Sequence, residues 1–118
     1  MEQAKLNKIL ENHKLWLKTN GEQGERADLS YADLRYADLS YADLDYSAFP
    51  LWCGGLDVHI DDKQATQLLY HLIRNVKYSK NTSKALKKIC RIKSLVKQAN
   101  QFHRVRECGE IMVGEENG

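Results

Sequence analysis

Residues 27–46 read ADLSYADLRYADLSYADLDY, four consecutive five-residue units that agree at four of their five positions. A weaker fifth unit, SAFPL, follows at residues 47–51, and residues 22–26 before the repeat keep only its length. A fixed period of this kind indicates a repeat architecture, so this segment decides the fold. The flanking residues are expected to complete it.

A period of five fits neither an α-helix nor a straight β-strand. On a helix, the repeat leucines would advance by about 140° per unit and scatter around the axis. On a strand, an odd spacing would place them alternately on opposite faces. A chain that turns a corner every five residues avoids both problems. Each leucine then points inward from the middle of one side, each alanine lies near a corner, and Asp and Tyr point outward.

The units resemble the pattern A(D/N)LXX of the pentapeptide-repeat proteins. The resemblance implies an α+β fold built on a very short right-handed quadrilateral β-helix of about one coil, over residues 22–56. Coils of this kind stack at the ~4.8 Å spacing of paired strands. It also implies the central inward residues, which are Leu29, Leu34, Leu39, Leu44 and Phe49.

The flanks are similar to a group of short pentapeptide-repeat proteins from phages and mobile elements. The segments that carry this resemblance lie at residues 50–55 (PLWCGG), 70–71, 99–104 and 107–109. This resemblance defines the fold better than it defines the function. Pro50 and the two glycines Gly54 and Gly55 predict the exit from the repeat.

One coil buries too little surface to stand alone, so helices are expected to cover its ends. Apolar spacing predicts an N-terminal cap helix within residues 1–20, from Gln3 to Lys18. Residues 57–113 are predicted to hold two further helices, one from Asp61 or Asp62 to about Val76 and one over about 82–99. The expected buried stripe of the first comprises Ala65, Leu68, Leu69, Leu72, Ile73 and Val76. All of this is predicted to form one domain, 1–118, with residues 114–118 frayed.

Charge is divided sharply along the chain. Residues 1–62 carry a formal charge of −6, residues 63–106 carry +12 with no acidic residue, and residues 107–118 carry −4. Helices on ordinary surfaces mix both signs, so the long basic block favours an acidic partner, protein or nucleic acid. Its helical spacing predicts one basic face formed by Lys84, Lys87, Lys88 and Arg91.

The outward tyrosines are the second candidate contact surface. Tyr31, Tyr36, Tyr41 and Tyr46 would form a girdle around the coil, and rigid amphipathic tyrosines suit protein interfaces. The partner-binding prediction therefore combines the basic face with this girdle. We expect a host protein or nucleoprotein complex as the partner, and a homodimer through the C-terminal helices or the coil end is a further expectation.

Three functions are compatible with these features. The first is a non-enzymatic protein-binding module, such as a phage-type inhibitor or modulator of a host nucleoprotein or defence enzyme. The second is a non-specific nucleic-acid-binding protein that uses the lysine-rich helix. The third is a DNA mimic acting on a topoisomerase, through the repeated aspartates Asp28, Asp33, Asp38 and Asp43. Two coils would copy only about three base pairs, which disfavours the third.

Catalytic and metal chemistry find little support. The repeated aspartates face different directions, so no carboxylate pair is selected for acid–base work. Cys53, His71, His103 and Cys108 could be drawn as a zinc set, but their spacing matches no common zinc motif. The sequence therefore predicts no enzyme, no cofactor and no metal.

The three cysteines are too few for a disulfide framework, and no apolar run is long enough to cross a bilayer. The N-terminus lacks the apolar core of a signal peptide. A cytoplasmic protein with reduced thiols and no membrane partner is expected.

Overall fold

The computed structural model describes residues 1–112, and the chain divides into two compact units. The repeat unit comprises Met1–Asp61, and the helical unit begins at Asp62. The helices are α1 (Gln3–Lys18), a 3-10 helix (Cys53–Gly55), α2 (Asp62–Tyr78), α3 (Lys84–Ile89), α4 (Lys93–Ala99) and α5 (Val105–Cys108). The predicted fraying of residues 114–118, and position 113 of the predicted helical region, lie outside the described residues.

The predicted quadrilateral β-helix, and with it the α+β class, is wrong. Across residues 1–112 the chain forms helices and no β-strand, and β pairing there is limited to two isolated parallel bridges, Asp28–Ala48 and Asp38–His59. A β-strand needs bridges at consecutive residues. Turns take up much of every five-residue unit, and the chain passes the remaining residues too few times for them to form a ladder.

The repeat is instead a series of tight turns around an apolar centre. In each unit the leucine carbonyl accepts the N–H three residues later, as from Ala32 to Leu29 and from Ala37 to Leu34. Leu29, Leu34, Leu39 and Leu44 are buried, and Phe49 is half-buried against them. The turns therefore direct the leucines to one core although their spacing matches no regular element.

A second pass of the chain lies beside the first at an offset of about 20 residues. The Leu29 N–H donates to Ala48, the Leu34 N–H to Gly54 and the Leu39 N–H to His59. This pairing reaches Asp61, whose carboxylate accepts the N–H of Tyr41 at 2.7 Å. The chain therefore does not leave the repeat at Pro50 and the two glycines, as predicted, because residues 54–61 still pair with the first pass.

Helix α1 spans the residues predicted for the cap helix, and it covers the open edge of the first pass. Leu6 is buried in the leucine core. The Gln3 amide both donates to the carbonyl of Asp38 and accepts its N–H, at 2.9 and 2.8 Å. The buried His13 accepts the Ala27 N–H at Nδ1, so its Nε2 carries the proton that faces the Asp45 carbonyl. Two polar side chains thus satisfy backbone groups that a neighbouring strand would otherwise pair.

The helical unit has its own core, formed by Tyr70, Ile73, Val96, Ala99, Phe102 and Ile111. The buried face of α2 lies roughly a quarter turn from the predicted stripe, towards Thr66 and Tyr70. Of that stripe, Ile73 and Val76 are buried and Leu69 is half-buried. Ala65, Leu68 and Leu72 are exposed. The Tyr70 ring packs on Phe102 at 4.7 Å between centroids, and this aromatic pair sets the helix rotation.

The predicted third helix is interrupted. Residues 90–92 separate α3 from α4, and Ser83 caps α3 by accepting the Leu86 N–H. No residue of α3 is buried, whereas Val96 and Ala99 of α4 reach the core. An uninterrupted amphipathic helix was therefore the wrong prediction for residues 82–99.

Candidate protein-binding surface

All four repeat tyrosines project into solvent. Tyr31 and Tyr41 are 93% and 95% exposed, and Tyr36 and Tyr46 are exposed as well. Of the four, Tyr46 has an aromatic neighbour, Trp16 of α1, whose ring makes an edge contact at 6.2 Å between centroids. The structure thus presents a tyrosine ring to solvent at each successive turn of the repeat.

Three of these tyrosines have an unfavourable backbone conformation. Tyr36, Tyr41 and Tyr46 have φ values of 65°, 70° and 65°, whereas Tyr31 is not among the positive-φ residues. The third residue of a type II turn needs positive φ, which Gly or Asn adopts far more easily. A tyrosine there costs about 1–2 kcal/mol. Such strain at exposed aromatic residues is a reason to assign the rings a role in binding.

The repeated aspartates stabilise the turns. Oδ1 of Asp28 and of Asp38 accepts the N–H two residues later, and Asp43 repeats the pattern with Asp45. Hydrogen bonds from the side chains of Ser30 and Ser40 lower the pKa of Asp28 and Asp38, with the backbone N–H bonds adding to the effect. These carboxylates have a local structural role, which leaves the DNA-mimic hypothesis without support from their placement.

Among these aspartates, Asp33 has a pKa that is lowered by a bidentate partner. The Arg35 guanidinium bonds both carboxylate oxygens, at 2.9 and 2.7 Å. This side-chain pair, together with the Arg35 N–H, lowers the Asp33 pKa to about 2, and the same bond raises the pKa of Arg35.

The four predicted basic residues do not form one equivalent group. Lys84, Lys88 and Arg91 are exposed on and just after α3. Lys87 turns the other way, and its ammonium donates to the carbonyls of Val76, at 2.8 Å, and of Ser79. It thus satisfies carbonyls at the C-terminal end of α2, where the helix dipole also favours a cation. Lys87 has a structural position that its spacing in the sequence did not reveal.

Aliphatic side chains accompany the exposed cations. Leu86 and Ile89 of α3 are 46% and 51% exposed, and Ile92, directly after α3, is similarly accessible. We call Lys84, Leu86, Lys88, Ile89, Arg91 and Ile92 the α3 surface. It combines positive charge with incompletely buried apolar side chains, which suits contact with an acidic protein surface that also has apolar groups.

The cysteine and histidine candidates are not assembled into a metal site within the helical unit. His71 Nδ1 lies 2.9 Å from the Gln67 carbonyl, and both His71 and His103 pack edge-on against the Phe102 ring. In the described part of this unit, His71, His103 and Cys108 do not bring three ligand atoms within reach of one ion. Cys53 is an exposed free thiol of the repeat unit.

Sequence reasoning missed the residues that hold the segment after α5. Tyr70, Arg74, Lys77 and Asn100 all donate side-chain hydrogen bonds to carbonyls of residues 108–112. Tyr70 and Arg74 are one helical turn apart, which could have suggested a shared face. Nothing in the sequence indicates that Asn100 joins them.

The chain matches no family model, no curated protein and no solved structure. The resemblance to pentapeptide-repeat proteins therefore stays a prediction from the sequence. Among residues 1–112, no helix is long and apolar enough to span a membrane.

Proposed function

We propose that the chain is a non-enzymatic protein-binding module whose α3 surface contacts an acidic region of a partner protein. The observation that carries the proposal is that α3 has no buried residue although Leu86 and Ile89 are aliphatic. Exposed aliphatic side chains on the same short helix as the cations favour a protein partner over a phosphate backbone. Phosphate contacts need only charge and hydrogen-bond donors.

Charge and apolar area would have separate effects on this surface. Lys84 and Lys88 lie one helical turn apart, so together they attract an acidic partner and speed association. Leu86 and Ile89 project from another side of α3 than these two lysines, and a partner that also covers them would dehydrate them, which would lengthen the lifetime of the complex. The exposed tyrosines of the repeat unit are a second surface on which the same or another partner could rest.

The wider hypothesis is a phage-type modulator of a host nucleoprotein or defence enzyme, acting in the cytoplasm. Its support is the resemblance of the sequence and the free thiols of Cys53, Cys90 and Cys108. Non-specific nucleic-acid binding is the alternative that the same lysines would serve.

The test compares two variants of the α3 surface. Lys84→Glu with Lys88→Glu reverses its charge, and Leu86→Ser with Ile89→Ser removes its apolar area while leaving the charge. Matched controls are Lys5→Glu with Lys8→Glu on α1, and Leu72→Ser on α2, which is 58% exposed. Lys87 is left unchanged because it supports α2.

Partner capture from host lysate, with and without nuclease treatment, is the measurement, and circular dichroism confirms that every variant is folded. We expect both α3 variants to lose the captured protein at least tenfold, and both controls to retain it. Binding to a 20-base-pair duplex is then measured against salt. If capture needs nucleic acid and only the charge variant loses it, with a steep salt dependence of duplex binding, the nucleic-acid alternative replaces this proposal.

A further inference from the structure

Residues 109–112 lie on the helical unit as a bound peptide would lie on a receptor. The Asn100 amide donates to the Ile111 carbonyl and accepts the Ile111 N–H, at 3.0 and 2.8 Å. Lys77 donates to the Met112 carbonyl at 3.0 Å, and the Tyr70 hydroxyl donates to the Gly109 carbonyl. These contacts are made to backbone atoms, so they hold an extended chain with little regard to its side chains.

One side chain of the segment is an anchor. Ile111 is 5% exposed and packs in the core of the helical unit with Tyr70, Val96 and Phe102. Its neighbours Glu110 and Met112 are exposed. A single buried aliphatic residue between exposed ones is the pattern by which a groove selects an extended peptide.

The groove is wider than the segment that occupies it. An open depression of about 420 Å³ lies on one side of residues 110–112 and is lined by Lys93, Lys97 and Asn100. Another, of about 200 Å³, is lined by Arg74, Lys77 and Tyr78. Both have basic walls, whereas the segment itself carries Glu110 and follows Glu107. Charge complementarity and spare volume both favour an acidic ligand larger than the segment.

The segment also starts at a glycine with an unusual backbone conformation. Gly109 has φ 104°, a conformation that residues with a side chain rarely adopt. The helix α5 ends immediately before it. Rotation at Gly109 would lift residues 110–112 without unwinding α5.

We infer that this groove, between α2 and α4, binds an extended acidic peptide with one aliphatic anchor from a partner protein, and that residues 109–112 occupy it in cis. The chain's own segment then competes with the partner and sets the threshold for binding. This site is separate from the α3 surface, and it stands or falls independently of the function proposed there.

The test uses the full chain and a fluorescein-labelled peptide of residues 107–112 with Cys108→Ser. Ile111→Asp in the protein removes the cis anchor and leaves the groove residues unchanged. A cis segment at an effective concentration on the order of 1 mM, against a peptide that binds with a Kd of about 100 µM, masks the groove roughly tenfold. We therefore expect at least tenfold tighter anisotropy-measured binding to the variant than to the wild-type chain.

Three controls define the site. Adding Asn100→Ala to the Ile111→Asp chain should abolish the gain, and a peptide carrying Ile111→Asp should not bind. A peptide carrying Glu107→Lys and Glu110→Lys should bind at least tenfold more weakly, and equal binding would refute the acidic specificity. If the folded Ile111→Asp chain binds the first peptide no better than the wild type does, the segment is only part of the fold and the inference is wrong.

Two further measurements decide the matter if the Ile111→Asp variant does not fold. Hydrogen exchange of the Ile111 amide should be at least tenfold faster than that of Ile73 in the middle of α2, because the segment must open on its own. Equal protection of the two amides would overturn the inference. Concentration-dependent dimerisation that Gly109→Ala alters would instead assign the groove to a second copy, and would overturn the partner as its occupant.

Discussion

The leucines of the repeat and the leucines and isoleucines of the helical unit differ in how closely their burial follows their spacing. Within residues 27–46, all four leucines are buried and all four tyrosines are exposed. In the helical unit, Leu68, Leu72, Leu86 and Ile89 remain exposed although their spacing is helical. A corner every five residues leaves a leucine only one inward direction, whereas a helix can rotate about its axis. Periodicity therefore predicts burial more reliably in the repeat than in the helices.

The two units are alike in how they satisfy backbone polar groups. Gln3 and His13 of α1 bond the edge of the first repeat pass, and Asn100 bonds both polar groups of Ile111. In each case a side chain of a helix replaces a neighbouring strand. Small units that lack a sheet can complete their hydrogen bonding in this way.

The largest expected effect contrasts the two apolar environments directly. Leu39→Ala should lower the free energy of unfolding of the repeat unit by about 2–5 kcal/mol, because it leaves a cavity in a small core. Leu72→Ala on the exposed side of α2 should change stability by no more than about 0.5 kcal/mol. Urea unfolding followed by tryptophan fluorescence reports on the first, since Trp16 and Trp52 both lie in the repeat unit. Circular dichroism reports on the Leu72→Ala variant of the helical unit. Similar losses for both variants would refute the contrast.

His13 tests whether side chains of α1 are required to complete the repeat. His13→Ala should cost about 2–3 kcal/mol, because the buried Ala27 N–H and the Asp45 carbonyl both lose their partner. Gln3→Ala, which removes two bonds at an exposed position, should cost about 1 kcal/mol. Tryptophan-monitored urea unfolding of both variants gives the comparison. A smaller loss for His13→Ala than for Gln3→Ala would contradict it.

Substitution of Lys87 tests whether a side chain is required to complete backbone hydrogen bonding in the helical unit. Lys87→Ala should lower its stability by about 1 kcal/mol, since the carbonyls at the end of α2 lose a charged donor. Lys88 lies on the exposed side of α3, the helix that carries Lys87, so Lys88→Ala should have no measurable effect on stability. Thermal unfolding followed by circular dichroism distinguishes the two variants. Equal melting temperatures would show that the hydrogen bonds from Lys87 to the end of α2 do not contribute to stability.

Tyr41 tests the strain in the repeat. Tyr41→Asn should raise the stability of the repeat unit by up to about 1 kcal/mol, because Asn tolerates positive φ better than Tyr. Tyr31→Asn is the matched control, since Tyr31 is equally exposed but is not strained. The control should not be stabilised in urea unfolding. A gain in both variants would mean that loss of an exposed ring, rather than relief of strain, is the cause.

The smallest expected effect concerns acid. Asp28, Asp33 and Asp38 have lowered pKa values, so their contribution is present above the unfolded pKa of about 3.9 and is lost as the pH falls through the folded values. The urea midpoint of the repeat unit should therefore fall between pH 4 and pH 2. Asp33→Asn keeps an oxygen for the Arg35 N–H but does not titrate, so its decline should be shallower than that of the wild type.

The sequence predicted several elements of the structure and failed on others for identifiable reasons. The limits of α1 agree with the prediction because an apolar stripe and two glycines mark them. The prediction of a β-helix was wrong because a repeat pattern defines the positions of the turns but not β-strands. Strands need more coils stacked on one another. The continuous third helix failed because the break at residues 90–92 has no Gly or Pro to announce it. The prediction of one basic face was only partly correct, because spacing cannot show that Lys87 reaches the end of another helix.

The sequence by itself determined where the repeat turns, that the four repeat leucines lie inside and how charge is divided along the chain. These properties follow from local spacing and composition, which do not depend on distant contacts. Only the tertiary structure decided the rotation of α2, the role of Lys87 and the docking of residues 109–112. Each of these depends on residues far apart in sequence, such as Tyr70 with Phe102 and Asn100 with Ile111. A helix offers several nearly equivalent faces, and long-range contacts select one of them.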